Sequence, residues 1–315
     1  MLLLLFLSLL FSAGYIGWRK ISHAWMSPGD YAGGVVTIPS GSSLGSIVEQ
    51  LHREDVIESP VLFRLGVMFL GTQRNLQAGE FQIPARASLS QIAGILSRGR
   101  SVAYKVTVPE GTTSWEVVQI LRSNPDLTGE IISVPEEGSL LPETYHFERG
   151  DKRTDVLERM MKASGDKLDS LWRQRNLNVP LDTPYEALIL ASIVEKETAL
   201  EHERPVVAAV FLNRLEKGMR LQADPTVIYG LTLGKEPLGR PLRRSELKQD
   251  TPYNSYRRSG LPPTPICNPG AASLEAVLNP IESNFLYFVA DGKGGHRFAA
   301  TLAEHRRNVK AWRNK

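Results

Sequence analysis

The stretch PYEALILASIVEKETALEHERPVVAAVFLNRLEKGMRLQADPTVIYG, Pro184 to Gly230, decides how the rest of the chain is read. Apolar residues recur at Ala187, Leu190, Ile193 and Val194, the i, i+3, i+4 spacing of a helix with one buried face. Position 197 comes next on that stripe and holds Glu197, a carboxylate where another Leu or Ile is expected. Glu195 stands two residues back, about 200° round a helix, so the two acids cannot face the same way. An acid aimed into a cleft beside the core has its charged form disfavoured, so its pKa rises and it keeps a proton near neutral pH. That is the state a general acid needs. The interrupted stripe favours Glu197, with Glu195 the alternative. The competing reading is a solvated run, Glu195-Lys196-Glu197, on a frayed helix end.

Composition bounds the rest. A chain of 315 residues with 42% hydrophobic content has room for two or three domains and is not disordered. A formal charge of +3, with no long Lys/Arg block, argues against nucleic acid as a partner. Cys267 is the only cysteine, which excludes an internal disulfide and a cysteine-based metal site. The six histidines never take the spacing of a zinc motif, so neither a metal nor another cofactor is expected.

Residues Met1 to Trp18 are apolar or small throughout and are followed by Arg19 and Lys20. Eighteen such residues reach the lower limit for spanning a bilayer, so 1–18 is expected to be a transmembrane anchor and 19–34 a linker. A cleaved signal peptide, with Ser12-Ala13-Gly14 as the cleavage region, is the competing reading. No basic residue precedes the run, and the charges after it would by themselves keep the body of the protein in the cytoplasm.

Beyond the linker a strand, turn and capped helix recurs. VVTIPSGSSLGSIVEQL (Val35 to Leu51) is echoed 70 positions later by KVTVPEGTTSWEVVQIL (Lys105 to Leu121), with a weaker copy at Phe81 to Leu96. Each helix start carries Ser or Thr, able to cap free N–H groups, and each unit must pack on neighbours to bury its apolar face. A polar helix is predicted from Thr154 to about Asn176 with Val156, Met160 and Leu171 inward, and another from Val206 to Leu215, ending at Gly218.

From there to about Gly270 the chain reads as irregular, dense in amides, hydroxyls and rings: Gln222, Asp224, Thr226, Tyr229, Tyr253, Asn254, Tyr256 and Asn268. Loops of this kind suit a sugar, because a ring packs on the apolar face of a pyranose while Asn, Gln and Asp take its hydroxyls. The other reading is that Pro and Gly merely punctuate turns. FLYFVA (Phe285 to Ala290), the Gly-rich turn Asp291 to His296 and the return through Arg297-Phe298 predict a hairpin, and a final helix runs from Thr301 to Trp312. The turn lacks the pattern of a phosphate-binding loop.

The strings ASIVEKET (Ala191 to Thr198), FLNRLEKGMRLQADPTVIYG (Phe211 to Gly230), TPYNSY (Thr251 to Tyr256), GLPPTPICNPG (Gly260 to Gly270) and YFVADGKGGHRF (Tyr287 to Phe298) resemble the YceG-like family, the endolytic murein lytic transglycosylases. The segment from Val36 to about Gly99 also resembles a LysM-like module, a small fold associated with N-acetylated glycans. The family resemblance implies cleavage of the β-1,4 bond between N-acetylmuramic acid and N-acetylglucosamine, leaving a 1,6-anhydromuramic end, by one acidic residue that first donates and then takes up a proton. It implies an inner-membrane anchor, a periplasm-facing body, glycan strands as substrate and peptidoglycan synthases as partners. Glu197-Thr198 is similar to the Glu-Ser step that ends the catalytic helix of lysozyme-like transglycosylases. His296 is expected at the substrate through the last string. The architecture expected is α+β: an anchor at 1–18, a linker at 19–34, a LysM-like module at 35–100, a second small α+β region with its connecting helix at 101–180, and a mixed α+β catalytic domain with a helix-borne glutamate at 181–315. Two other readings of function are a glycan-binding scaffold with a degenerate lytic domain and a muramidase-type hydrolase, for which Asp224 is the candidate second acid.

Overall fold

The computed structural model describes residues 2–99 and 101–314, with the backbone alone at 2–10 and 13. The chain is mixed α+β and divides into two compact units, Met1–Tyr104 with His146–Arg149, and Lys105–Tyr145 with Gly150–Lys315.

The first unit opens with α1 (Leu2–Met26). Of the expected anchor, residue 1 and the side chains of 2–10 and 13 lie outside the described residues. Among the described residues no helix is long and apolar enough to cross a membrane. The helix continues past Trp18, so residues 19–26 of the expected linker are helical and the irregular connection narrows to 27–33. There follow β1 (Gly34–Ile38), α2 (Leu44–Arg53), α3 (Pro60–Phe69), β2 (Gly79–Ile83) and α4 (Leu89–Arg98). The two strands pair antiparallel with Val36 opposite Phe81. Alternation along β1 buries Val36 and Ile38, and these join Val48, Leu51, Phe63, Val67, Phe81, Ile83, Ile92 and Leu96 in one core. Burying each such large side chain contributes ~1.5–3 kcal/mol.

All three predicted strand-turn-helix units form, the third as β3 (Tyr104–Thr107) and α5 (Ser114–Ser123). Their helices start where expected because Ser43, Ser88 and Thr113 each accept the N–H three residues on. Gln91 and Glu116 return the bond to the cap residue's own N–H, a reciprocal cap worth ~1 kcal/mol. β4 (Thr144–Phe147) pairs with β3.

The second unit is built round one helix. α6 (Arg153–Arg173) buries Val156 and Met160, as expected, and leads to α7 (Pro184–Glu197). Thr183 and Glu186 form a reciprocal cap on α7, and Pro184 occupies its first turn, where the missing N–H costs nothing. The expectation of one buried face is corrected here: every residue from Ala187 to Val194 is buried. A helix apolar all round belongs in the middle of a core, and α6, α8 (Arg204–Glu216), α9 (Asp224–Thr232) and α10 (Ala271–Leu278) all pack against it. α9 lies in the stretch that sequence reads as irregular, and α10 begins directly after it. α8 ends at Gly218, which takes the left-handed conformation (φ 65°) expected of a helix stop. The predicted hairpin forms as β5 (Tyr287–Ala290) and β6 (His296–Ala299), and α11 (Leu302–Arg313) closes the chain.

Candidate active site

The last turn of α7 carries both candidate acids, and their surroundings differ. α7 stops because Thr198 turns extended (φ −142°, ψ 132°), and the Thr198 hydroxyl accepts the N–H of Leu200 while donating to Glu203 Oε2 at 3.4 Å. Glu195 is fully engaged. Its Oε2 accepts the N–H of Gly270, the N-cap residue of α10, at 2.9 Å, and its Oε1 lies 3.6 Å from Arg204 Nη2. The same guanidinium sits 3.3 Å from Glu110 Oε2, whose carboxyl is raised above its ordinary pKa first by burial and then by the charge of Glu195. Two acids share one buried arginine.

Glu197 has no such partners. Its Oε2 is enclosed by protein without a hydrogen bond, and its pKa is pushed up to about 7, by burial first and by the charge of Asp224 second, with Arg214 opposing. Arg214 is turned toward the backbone through two of its nitrogens, Nε donating to the Leu286 carbonyl and Nη1 to the Leu221 carbonyl, both at 2.6 Å. Asp224, exposed in the first turn of α9, accepts the phenol of Tyr256 at 2.6 Å. Burial and that bond push the Tyr256 phenol above its ordinary value, so it stays a donor. An acid half protonated at neutral pH, beside a carboxylate and a phenol, can give a proton and take one back.

The other predicted residues divide in two. Tyr229 and Tyr253 meet edge to face at 4.9 Å; Tyr229 donates to Glu137 Oε2 at 3.2 Å, while the Tyr253 hydroxyl meets Thr264 Oγ1 at 2.9 Å. Both rings pack against the core. Gln222 is exposed in a left-handed turn (φ 53°) two residues before Asp224. Three expectations are corrected. Thr226, Asn254 and Asn268 are buried and their polar atoms are spent on protein, which leaves nothing for a sugar. Thr226 bonds the Ala223 carbonyl and Ser255, and Asn254 bridges the carbonyls of Leu247 and Gln249. Asn268 donates to the Thr112 carbonyl and accepts the N–H of Leu140. Buried amides need such partners, because an unpaired one costs ~1–3 kcal/mol.

His296 is held by Glu203 through two bonds, from its backbone N–H at 2.8 Å and at Nδ1 at 2.7 Å. Burial alone would raise the Glu203 pKa, but the bonds from His296 outweigh it and hold the carboxyl below its usual range. The hairpin tip is thereby fastened to the loop that follows Glu197. Sequence reasoning passed over Arg214, Glu203, Arg204, Glu110 and Glu137. Arg214 had a signal, the same one that marked Glu197: it follows Val207 and Phe211 at helical spacing on a face that is otherwise apolar. Among the described residues no group of three or more His, Cys, Asp or Glu side chains could hold a metal ion.

The sequence profile of the YceG-like family matches residues 36–311. The chain belongs to the YceG-like family. Relatives agree with that YceG-like assignment: a Bacillus subtilis (strain 168) protein named endolytic murein transglycosylase is 32% identical over 302 residues, covering 86% of this chain and 82% of the relative. A Streptococcus pneumoniae (serotype 2) protein of the same name is 27% identical over 359 residues, covering 97% of this chain and 63% of the relative. A crystal structure described as that of a yceG-like protein from Listeria monocytogenes is similar at a TM-score of 0.51 with 31% identity, covering 87% of this chain and 98% of that one.

Proposed function

We propose that this chain is an endolytic peptidoglycan transglycosylase in which Glu197 is the single general acid and base. The carrying observation is the Glu197 carboxyl itself, unpartnered at a buried oxygen and titrating at about 7. Protonated Glu197 delivers its proton to the oxygen linking N-acetylmuramic acid to N-acetylglucosamine, and the C1–O bond breaks through an oxocarbenium-like state. The carboxylate so formed takes the proton of the muramic C6 hydroxyl as that oxygen closes on C1. No water is consumed, Glu197 regains its proton, and the strand ends in 1,6-anhydromuramic acid. Asp224 supplies negative charge beside the site, and Tyr256 holds it in place.

The apolar run Met1–Trp18 is read as an inner-membrane anchor with the remainder in the periplasm, where membrane-bound synthases would supply new glycan strands. The β1–α2–α3–β2 order with its antiparallel pair supports a LysM-like, glycan-binding role for the first unit. A second reading, a muramidase-type hydrolase, draws on Asp224, which lies near enough to Glu197 to raise its pKa and could serve a water. Mass spectrometry of purified peptidoglycan digested by the full chain decides among them. Anhydro ends support the transglycosylase, reducing ends the hydrolase, and an absence of products would leave only a binding scaffold.

A further inference from the structure

Helix α3 has two apolar faces, and only one of them is used by the core. Phe63 and Val67 are buried, whereas Leu65, Met68, Phe69 and the following Leu70 are exposed by 53–75%. A run this apolar turned to water is unusual for a small module and marks an interaction surface. Its neighbour is the end of α1. The Trp25 ring sits 6.1 Å from that of Phe63 and rests on Gly66, where a Cβ would collide with it. Further along, the rings of Trp18 and Phe69 meet at 5.8 Å. Residue numbers fall along α1 as they rise along α3, so the two helices run antiparallel. The C-terminal tip of α3 therefore lies at the level of Trp18. Between them the helices enclose an apolar groove of about 580 Å³.

We infer that this tip, Leu65, Met68, Phe69 and Leu70, inserts into the headgroup and acyl boundary of a lipid bilayer, next to the point where α1 leaves it. The inference rests on the reading of Met1–Trp18 as an anchor and adds a second membrane contact on the folded module. Trp18 closes the apolar run, the place where an indole prefers the membrane interface, and the Phe69 ring is fixed beside it. Charge fits the same occupant. Residues 2–26 hold no acid, nor do residues 59–79, while Arg19, Lys20, Arg64 and Arg74 flank the apolar tip. Basic residues in that position pair with anionic headgroups, and long ones reach out to them from an apolar surface. A helix end with large apolar residues and a basic rim binds bilayers by this combination of burial and charge.

The test places an environment-sensitive fluorophore at single cysteines in the full chain, reconstituted in vesicles of phosphatidylethanolamine and phosphatidylglycerol carrying nitroxide lipids. Cys267 is fully buried and stays unlabelled. The sites are Phe11→Cys for the anchor, Leu65→Cys and Phe69→Cys for the tip, and Gln82→Cys on the exposed side of β2 as the aqueous reference. The expected result is blue-shifted emission and lipid quenching at 11 and 69, a smaller effect at 65, and none at 82. Quenching at 11 with 65 and 69 behaving like 82 would overturn the tip while leaving the anchor standing. Quenching at 69 but not at 11 would support the tip and remove the anchor. A blue shift at 69 without lipid quenching would mean that protein, such as a second copy, covers the tip, and the inference would fail.

Discussion

The two sides of the last turn of α7 hold the same functional group in opposite conditions. On one side Glu195 is met by the Gly270 N–H and by Arg204, so its charge is matched and its position fixed. On the other, Glu197 faces a carboxylate at Asp224, an arginine that gives two of its nitrogens to backbone carbonyls, and no hydrogen bond at Oε2. Chemistry needs the second condition, because a group whose bonding is complete has no reason to exchange a proton. The first condition holds the turn still while the second works.

The largest effect that would sharpen this contrast is loss of turnover in Glu197→Gln. Gln keeps the size and cannot deliver a proton, so the rate on purified peptidoglycan should fall on the order of 10²- to 10⁴-fold or more with the fold unchanged by circular dichroism. If Glu195→Gln were the dead variant and Glu197→Gln stayed active, the roles would be reversed. Glu195→Gln should instead lower stability by ~1.5–3 kcal/mol in chemical denaturation, since it removes the charged acceptor of the Gly270 N–H while Arg204 keeps Glu110 as its partner. Its activity should track the folded fraction.

Acidity breaks the comparison another way. A free glutamate titrates near 4.5, and Glu197 in the folded chain near 7. Between those values the unfolded chain holds fewer protons, so folding stability falls as pH rises through the window, by about 3–4 kcal/mol at most at ~1.4 kcal/mol per pH unit. Denaturant titrations at pH 5 and pH 8 should show that loss in the native sequence and a flatter profile in Glu197→Gln. The reaction itself should decline above about pH 7, where the acid is ionised. The smallest effect is expected of Tyr256→Phe, which removes the donor on Asp224 at a cost of ~0.5–1.5 kcal/mol. Activity should drop severalfold, and the alkaline limb of the rate profile should move up, because the freed charge of Asp224 raises Glu197 further. A limb that stays put would detach Asp224 from the site.

How much of this was legible depends on how local the signal is. The three strand-turn-helix units were read correctly because a capping hydroxyl acts within three residues of itself, as at Ser88 and Thr113. Helices α9 and α10 were missed for a related reason. Pro and Gly in sequence suggest irregular chain, although Pro225 sits in the first turn of α9 and Gly270 directly caps α10. Glu197 was found from a stripe that does not exist as a single face; what survived is that a carboxylate stood beside a fully buried segment. Asn254 and Asn268 were assigned to sugar because an amide looks the same in sequence whether its partners are hydroxyls of a ligand or carbonyls far along the chain.

Asn268 has a consequence for how the protein is made. Its side chain and backbone bond Thr112 and its side chain bonds Leu140, 156 and 128 residues earlier. Closing loops of that length is paid in chain entropy before the contacts reward it, and such pairings form late. During synthesis the segment carrying Thr112 and Leu140 emerges well before Asn268 exists. Until the ribosome has passed position 268, the Thr112 carbonyl and the Leu140 N–H are left to water, and this part of the second unit closes only afterwards.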